Sequence, residues 1–314
     1  MIVGSLGALQ IGSTLVPMTT PLTIQTYAKI NLILKVAPQL STGSATGFHP
    51  ICSWMHAIDL HDQIELSILP EGPSEFVISW SSGDPVEWET ESDLVFRAHA
   101  LLERELNCSL PARICVTKSI PAGGGMGGGS SNAAGVLLGL NRMFALGLDQ
   151  HQLRTIAHGL GTDIPYFIDI EAFESGVPQC PAVVSGIGDR IEPTDRVSSS
   201  ITLLIPSFGC PTGAVYRVFD EMGEGRGIDH DAVMVAANRG IVDQSVLSND
   251  LSTPARQAVP ELDATMSALE SLGIHPHLSG SGSTMYVIGH LDAETMDRIA
   301  SKLPSLRMVH TRLV

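Results

Sequence analysis

The sequence predicts an α+β protein built from two domains. Its 314 residues are about twice the length of a typical domain. Runs of β-branched and apolar residues, typical of strands, alternate with segments whose apolar residues recur at helical spacing. Between residues 176 and 200 the composition shifts to Pro, Gly and Ser, and a second series of strands and helices follows. We therefore expect one domain over residues 24–195 and another over residues 196–314.

The first 22 residues are apolar and rich in Ser, Thr and Gly. The first cationic side chain of the chain is Lys29, so this segment lacks the positively charged start of a secretory signal. We expect residues 1–23 to form a disordered extension of a cytoplasmic protein. The five cysteines are scattered, and none is in a Cys-x-x-Cys pair, which predicts reduced and mostly buried thiols.

Hydrophobic patterns place the elements of the first domain in order. Strands are expected at residues 24–36, at the end of 51–69, at 75–80 and at 112–118. Helices are expected at residues 93–106 and 130–146 and after Asp149, which forms a capping-box pattern with Gln152. These helices form a layer that covers the sheet.

By the same reasoning, the second domain is expected to be a sandwich of helices and strands. Its predicted strands are residues 201–205, 284–289 and 307–314. Its predicted helices are residues 212–222, 230–239, 255–272 and 292–302.

The charge balance restricts the kind of partner. The chain carries 18 Lys and Arg against 33 Asp and Glu, a formal net charge of -15. Such a surface repels phosphate backbones and anionic lipid, so we expect neither nucleic-acid nor membrane binding. No stretch approaches the ~18 to 20 apolar residues that span a bilayer. Any phosphate must therefore be held by a local arrangement of the chain.

A glycine-rich segment over residues 121–135, PAGGGMGGGSSNAAG, supplies such an arrangement. Successive peptides without side chains, placed directly before a helix, let backbone N–H groups approach an anion closely. A flexible linker is the plain alternative, but a linker is not followed at once by a strong helix. The spacing also fits a dinucleotide fingerprint, although its acidic partner would be the helix cap Asp149, and a P-loop would need a lysine that is missing here.

The same segment resembles the phosphate loop of the GHMP kinases, which include galacto-, homoserine, mevalonate and phosphomevalonate kinases. TYAKINLILKV at residues 26–36 resembles the N-terminal motif of the family, and HLSGSGSTMYVIG at 277–289 resembles its C-terminal glycine motif. The order and spacing agree over residues 24–290. The resemblance implies a ribosomal-S5-like first domain, a ferredoxin-like second domain, and an active site in the cleft between them that uses ATP and Mg²⁺.

Further stretches resemble the branch of the family that phosphorylates a cytidylated polyol in the non-mevalonate route to isoprenoids. They are AKINLIL, GFH at 47–49, GTDIPYF at 161–167, SGIGDRIEP at 185–193 and LSNDL at 247–251. This implies a small-molecule alcohol as the acceptor and a monomer or weak homodimer. The alternatives are another GHMP kinase, of homoserine or mevalonate type, and a non-catalytic ligand sensor with the same fold. A sensor is expected to have lost the catalytic pair, which is present here.

That pair is Asp163 and Lys29, which align with the catalytic aspartate and lysine of the family. The resemblance implies that Asp163 takes the proton of the acceptor hydroxyl, and that Lys29 keeps Asp163 ionised and stabilises the developing charge. Without the resemblance, Asp163 would be interpreted as a helix cap before Ile164, and Lys29 as an exposed strand lysine.

The resemblance also implies the residues that bind ATP. Lys118 resembles an ATP-contacting lysine, and Asp93 stands where the family commonly has an asparagine that meets adenine. Unlike asparagine, an ionised aspartate cannot donate to a ring nitrogen. The remaining ATP contacts are expected from the phosphate loop, where capping alone would also explain either serine: Pro121, Gly123, Gly124, Gly125, Met126, Gly127, Gly128, Gly129, Ser130, Ser131 and Asn132.

The cytidylated substrate is expected to contact aromatic residues. Phe48 and His49 resemble the pair that recognises cytosine, and Tyr216 aligns with an aromatic residue that stacks on it. Asn31 and Thr212 are weaker candidates for substrate contact. Each ring could instead belong to the core. The remaining histidines show no accompanying ligand set and the cysteines lack the spacing of a metal site, so no metal site of this kind is predicted. The hydroxyls of Ser130 and Ser131 are the candidates for contact with phosphate or Mg²⁺.

Overall fold

The computed structural model describes residues 20–43, 45–223, 225 and 227–314, which form two compact units. Residues 1–19 of the expected N-terminal extension lie outside the described residues. Unit 1 contains the described residues up to Ala28, together with Leu60–Ile120 and Gly127–Gln179. Unit 2 contains Lys29–Asp59, Pro121–Met126 and Cys180–Val314. Each unit is therefore assembled from three separate stretches of the chain, and the linear division at residue 195 stays a prediction.

Two long strands pass from one unit into the other. These are β1 (Leu22–Val36) and β2 (Ile51–Ile68). The remaining elements of unit 1 are β3 (Glu75–Trp80), α1 (Leu94–Leu106), β4 (Ala112–Lys118), α2 (Gly128–Met143), α3 (Gln150–His158) and α4 (Ile170–Ser175), with 3-10 turns at Thr90–Ser92 and Ile164–Phe167. The predicted strands 75–80 and 112–118 are confirmed residue for residue.

The sheet of unit 1 is mixed. β4 pairs antiparallel with the second half of β2, in a register that aligns Ile64 with Val116. β3 adds to β4 in parallel, with Val77 opposite Cys115. Ile64 and Leu66 of β2 and Ile114 and Val116 of β4 are buried, because alternate residues of a strand face the same side.

Helix α2 lies unusually close to the strands of unit 1. A Cβ atom added at Gly135 would be 2.5 Å from Cγ2 of Thr26, and one added at Gly139 would be 2.2 Å from Cδ1 of Leu66. Glycine lowers helix propensity, but here it lets the backbone of α2 approach the sheet. The capping box at Asp149 and Gln152, predicted for α3, is confirmed.

Unit 2 contains two groups of paired strands. Its own elements are β5 (Ala182–Gly186), β6 (Arg190–Pro193), β7 (Ser200–Ile205), α5 (Thr212–Met222), α6 (His230–Ala237), β8 (Ser248–Asn249), α7 (Ser252–Ala258), α8 (Pro260–Glu270), β9 (His277–Leu278), β10 (Met285–Ile288), α9 (Ala293–Lys302) and β11 (Arg307–Arg312). β11, β7, β10 and β9 form an antiparallel sheet in that order. The first half of β2 pairs with β5, β5 pairs with β6, and β1 pairs in parallel with β8.

Apolar residues from the two ends of the sequence share the core of unit 2. Leu34 and Val36 of β1 pack in one cluster with Leu204 of β7, Phe219 of α5 and Leu262 of α8. Residues near the beginning of the chain thus contribute to the same core as elements that begin only at β7, far later in the sequence.

Three sequence predictions differ from the structure. The segment around residues 176–200 carries strands β5 and β6, although no strand was predicted there. The single helix expected at 255–272 is two helices, because Pro260 forces the preceding Val259 into an extended conformation (φ -131, ψ 92). Helix α2 begins two residues earlier than expected, at Gly128, and ends at Met143.

None of the five cysteines, all within the described residues, forms a disulfide bond, but fewer are buried than predicted. Cys52 and Cys210 are buried, Cys108 and Cys115 are half-buried, and Cys180 is exposed. Burial raises the pKa of both Cys52 and Cys210 to about 11, so these two thiols stay protonated and unreactive. Among the helices of the described residues, none has the length and apolar character needed to cross a membrane.

Candidate active site

The second half of the glycine-rich segment starts helix α2 in unit 1. Gly127 precedes the helix with a φ of 70, a left-handed conformation that favours glycine. None of the described side chains caps this helix end. The N–H groups of its first turn, which includes Gly128, Gly129 and the half-buried Ser130, therefore offer donors and a partial positive charge to an anion.

Behind this helix end, a buried network surrounds Asp62 of β2. The Asp62 carboxylate is fully buried and accepts from Nζ of Lys118 at 2.9 Å and from the backbone N–H groups of Ser119 and Ile120 at 2.6 and 2.8 Å. Nδ2 of Asn132 donates to the same carboxylate at 2.9 Å. The side chains of Lys118 and Asn132 thus point into unit 1, where both are buried. Their expected ATP contacts stay a prediction.

Asp62 was not among the residues singled out from the sequence, although the sequence contains a signal for it. In the stretch Asp62-Gln-Ile64-Glu-Leu66 the alternation of β2 places Asp62 on the same side as two buried apolar residues. A carboxylate on the buried side of a strand is rare unless it is paired. A charged residue at a position that the strand alternation predicts to be buried could therefore have identified Asp62 from the sequence.

Asp93 caps helix α1 and is nearly buried. One of its carboxylate oxygens accepts from the backbone N–H of Val95 at 2.8 Å, and the other accepts from Nε1 of Trp88 at 2.8 Å. Both oxygens thus have protein donors, which explains why an aspartate suits this position. The expected contact of Asp93 with adenine stays a prediction.

Asp163 occupies the position before the 3-10 turn Ile164–Phe167, but its side chain does not cap that turn. The capping interpretation, which was the plain alternative to a catalytic role, is therefore not supported. The residue is half-buried, between the exposed and buried extremes.

In unit 2, Lys29 is buried rather than exposed, with 2% of its surface accessible. Its ammonium donates to Oδ1 of Asn31 at 2.7 Å and to the carbonyl oxygen of Gly125 in the phosphate loop at 3.0 Å. Nδ2 of Asn31 donates to Oγ of Ser53 at 2.7 Å. Three residues predicted for the site, Lys29, Asn31 and Gly125, are thus brought together.

The C-terminal glycine motif packs against the first half of the phosphate loop, also within unit 2. Oγ of Ser279 donates to the Gly125 carbonyl at 3.0 Å, and the N–H of Thr284 donates to the Gly124 carbonyl at 3.2 Å. A Cβ atom added at Gly125 would be 2.2 Å from the Ser279 carbonyl oxygen. Because only glycine leaves room for this contact, Gly125 is required for close packing as well as for flexibility.

Of the three aromatic residues expected to recognise cytosine, two are in contact with each other and the third is exposed. The rings of His49 and Tyr216 are 4.9 Å apart between centroids, and they are tilted by 40°. Nδ1 of His49 lies 3.1 Å from the Ala37 carbonyl, and Nε2 lies 3.5 Å from a carboxylate oxygen of Asp220. The two rings touch each other, which leaves no room for a base between them. Phe48, in contrast, is 49% exposed.

Thr212, the remaining candidate for substrate contact, is the first residue of α5 and is exposed. Its hydroxyl lies 2.9 Å from Oγ of Ser281 in the glycine motif. This contact places the start of α5 beside that motif within unit 2.

Comparison with known proteins agrees with this geometry. The profile described as GHMP kinases N terminal domain matches residues 93–169, which include the whole glycine-rich segment 121–135 and Asp163. Solved structures share the fold: this chain superimposes on L. major mevalonate kinase with a TM-score of 0.64 at 14% identity, covering 96% of this chain and 98% of that one. The fold and the loop are therefore those of the GHMP kinases, as expected from the sequence.

More similar relatives identify the branch of the GHMP kinases to which the chain belongs. A protein of Symbiobacterium thermophilum named 4-diphosphocytidyl-2-C-methyl-D-erythritol kinase is 34% identical over 292 residues, which cover 90% of this chain and 95% of the relative. The crystal structure of a 4-(cytidine 5'-diphospho)-2C-methyl-D-erythritol kinase superimposes with a TM-score of 0.68 at 26% identity, covering 93% of this chain and 99% of that one. The chain belongs to the 4-diphosphocytidyl-2-C-methyl-D-erythritol kinase family.

Proposed function

We propose that this protein transfers the γ-phosphoryl group of ATP to the 2-hydroxyl of 4-diphosphocytidyl-2-C-methyl-D-erythritol, a step of the non-mevalonate route to isoprenoids. The single observation that carries the proposal is the 34% identity to a kinase of this name over nearly the whole chain. In the reaction the hydroxyl oxygen forms a bond to the γ-phosphorus, the bond to the β–γ bridging oxygen breaks, and ADP leaves. The hydroxyl proton goes to a base of the protein.

The phosphates of ATP are held by backbone groups rather than by a basic surface. The uncapped start of α2 and the glycines before it supply the donors. This explains how a chain of net charge -15 binds a polyphosphate. The contact of Gly125 with Ser279 holds the first half of the loop in place.

Asp163 is proposed as the base and Lys29 as the cation that stabilises charge on the acceptor oxygen. The position of Asp163 within the residues matched by the GHMP kinase profile supports the first role. The burial of Lys29 and its bond to the phosphate-loop carbonyl of Gly125 support the second, because a buried ammonium acts through a lower effective dielectric than an exposed one.

Mg²⁺ is proposed as the metal that neutralises the phosphates of ATP. It prefers oxygen ligands and usually keeps several waters, binding substrate phosphates and one or two protein oxygens. The hydroxyl of Ser130 at the start of α2 is a ligand of this kind. No group of three or more His, Cys, Asp or Glu within the described residues is arranged to hold a metal ion.

The cytosine of the acceptor is proposed to stack on the His49–Tyr216 pair from outside, because the two rings already touch. Stacking on an aromatic ring contributes about 1 to 3 kcal/mol per base. Asp220 and the Ala37 carbonyl hold the His49 ring in orientation. The exposed Phe48 ring is available to close over the base.

The test is ADP release measured over a panel of acceptors: the cytidylated methylerythritol, homoserine and mevalonate. Turnover is expected with the cytidylated acceptor alone. Equal or faster turnover of homoserine or mevalonate would contradict the proposal. ATP binding without turnover of any acceptor would instead favour the ligand-sensor alternative.

A further inference from the structure

The buried carboxylate of Asp62 connects the two sides of the glycine-rich segment. Its Oδ1 accepts from the backbone N–H groups of Ser119 and Ile120, the last two residues before Pro121. Its Oδ2 accepts from Nδ2 of Asn132, in the first turns of α2. One side chain therefore holds the chain both where it enters the segment and where it leaves.

This connection matters because glycines cannot fix a loop by their own packing. A glycine loses more conformational freedom on ordering than any other residue. A phosphate-binding loop is useful only if its N–H groups already point at the anion, since ordering them on binding would weaken affinity. Fixing both ends of the segment shortens the part of the chain that must be ordered.

The charge of Asp62 is balanced inside unit 1. Lys118 is 4% exposed and its ammonium donates to Oδ2 at 2.9 Å. A carboxylate without any solvent contact requires such a partner, because burying an unpaired charge is strongly unfavourable. This contact balances the Asp62 charge within unit 1.

The network continues to β1 through Asn132. Oγ1 of Thr26 donates to Oδ1 of Asn132 at 2.6 Å, and this fixes the orientation of the amide so that its Nδ2 faces Asp62. Both side chains are buried. The start of α2 is thus held by side-chain bonds from two strands, in addition to its apolar packing.

We propose that Asp62, with Lys118 as its counter-ion, is a positioning residue that holds the phosphate loop in its ATP-binding conformation. The inference rests on the proposed use of ATP but not on the identity of the acceptor. It assigns Asp62 a role in nucleotide affinity, although the side chain itself does not reach the ligand. Asp62 affects nucleotide affinity indirectly, through the loop and the start of α2 that it holds in position.

The test uses equilibrium binding of ATP by calorimetry on the full chain, which does not require turnover. Asp62→Asn alone leaves Lys118 buried without its counter-ion, so we expect a large loss of melting temperature. The double variant Asp62→Asn/Lys118→Met removes both charges and is expected to regain most of that loss. In the double variant the side-chain oxygen of the introduced asparagine still accepts from Ser119 and Ile120, but its amide group meets the amide of Asn132 as a second donor.

The double variant should therefore bind ATP about tenfold more weakly, the effect of losing one charge-assisted hydrogen bond, while the KM for the cytidylated acceptor stays unchanged. Thr26→Val, a milder change that frees the Asn132 amide, should weaken ATP binding about threefold. Glu103→Gln is the matched control, since Glu103 accepts from the backbone N–H of Leu110 at 2.7 Å in the same unit. It should bind ATP like the wild type.

Wild-type ATP affinity in the folded double variant, or in Thr26→Val if the double variant does not fold, would overturn the inference. An equal loss of affinity for ATP and for the acceptor would overturn it as well, since this pattern indicates a general distortion. If the wild-type protein itself does not bind ATP, the proposed function fails first, and the two failures are thus distinguishable.

Discussion

Single buried side chains determine much of the chemistry described above, and His56 shows how such a residue responds to pH. His56 is fully buried in unit 2. Nδ1 donates to the Ala57 carbonyl at 2.9 Å, and Nε2 accepts from the backbone N–H of Val197 at 3.1 Å. The ring is therefore neutral in the folded protein, and desolvation lowers its pKa from 6.5 to about 4.

The first prediction concerns the stability of the protein in acid. The unfolded chain takes up a proton on His56 below pH 6.5, whereas the folded protein resists it down to about pH 4. Above pH 6.5 His56 contributes its full share, about 3 kcal/mol, to the free energy of unfolding. This contribution is lost as the pH falls to about 4. Melting temperatures between pH 7 and 4 should fall less steeply for His56→Gln than for the wild type. A similar slope in both proteins would contradict this, and His275→Gln, at an exposed site, is the control.

The second prediction concerns the chemical step. Asp163→Asn keeps the shape of the side chain but removes its basicity, so kcat should fall by about 10² to 10⁴ with little change in melting temperature or ATP affinity. Lys29→Met should also lower kcat strongly. The double variant should be far less than additively worse if the two residues act as a unit. Full additivity of the two losses, measured by steady-state kinetics, would show that they work independently.

A third prediction at this scale concerns cytosine. Tyr216→Ala removes the ring against which His49 packs, so the KM for the cytidylated acceptor should rise about tenfold or more. Tyr216→Phe keeps the ring and should retain the wild-type KM. If Tyr216→Ala also retains it, Tyr216 is not part of the substrate site.

At the scale of helices and strands, the hydrophobic pattern predicted most elements, and the exceptions have physical causes. The strand at residues 75–80 and the helix at 212–222 were predicted to the residue, because apolar periodicity and flanking turn residues agree there. Strand β5 was missed because its five residues are surrounded by Pro and Gly. The predicted helix at 255–272 is divided in the structure, because Pro260 keeps Val259 out of the helical conformation.

The residues of the candidate site were likewise predicted only in part. Its glycine loop and catalytic candidates were recognised from sequence motifs, which report residues in order along the chain. Asp62 and Trp88 were missed, because their roles come from partners that are distant in sequence or depend on the fold: Asp62 contacts Lys118, and Trp88 contacts the carboxylate of Asp93. Periodicity describes which side of an element is buried, but it does not describe which polar groups meet there.

The fourth prediction tests the close packing of α2. Gly135→Ala would place a Cβ 2.5 Å from Cγ2 of the stiff, buried Thr26. Overpacking typically costs about 1 to 3 kcal/mol, which exceeds the gain of up to about 1 kcal/mol in helix propensity. The melting temperature should therefore fall. Gly213→Ala in α5, where a Cβ meets no atom within 4 Å, should leave it unchanged or raise it slightly, and a similar result for both variants would refute the packing argument.

At the scale of the whole molecule, the two units are not consecutive pieces of the chain. Unit 2 contains Lys29–Asp59 from the N-terminal part of the sequence. Within this unit, Oη of Tyr286 donates to the Asn31 carbonyl at 2.9 Å, and Oγ1 of Thr311 donates to the Asp59 carbonyl at 3.0 Å. The C-terminal elements therefore depend on residues near the beginning of the chain.

The fifth prediction follows from this dependence. A fragment of residues 196–314 lacks Leu34 and Val36 of the shared core and strand β1, which pairs with β8. It should give no cooperative thermal transition when it is followed by circular dichroism. Adding a fragment of residues 1–195 in trans should restore a transition. A fragment 196–314 that melts cooperatively by itself would instead support two independent linear domains.

The parallel pairing of β1 with β8 has a consequence for protein synthesis. Ile33 pairs with Ser248, and the carboxylate of Asp250 accepts from the backbone N–H of Val36 and from Nζ of Lys35, each at 3.1 Å. At a translation rate of roughly 5 to 20 residues per second, β1 emerges roughly 10 to 40 seconds before its partner exists. During that interval an apolar strand edge is uncovered on the nascent chain. Chaperones that bind such edges have their opportunity then, and slower translation before residue 248 lengthens the exposure to aggregation.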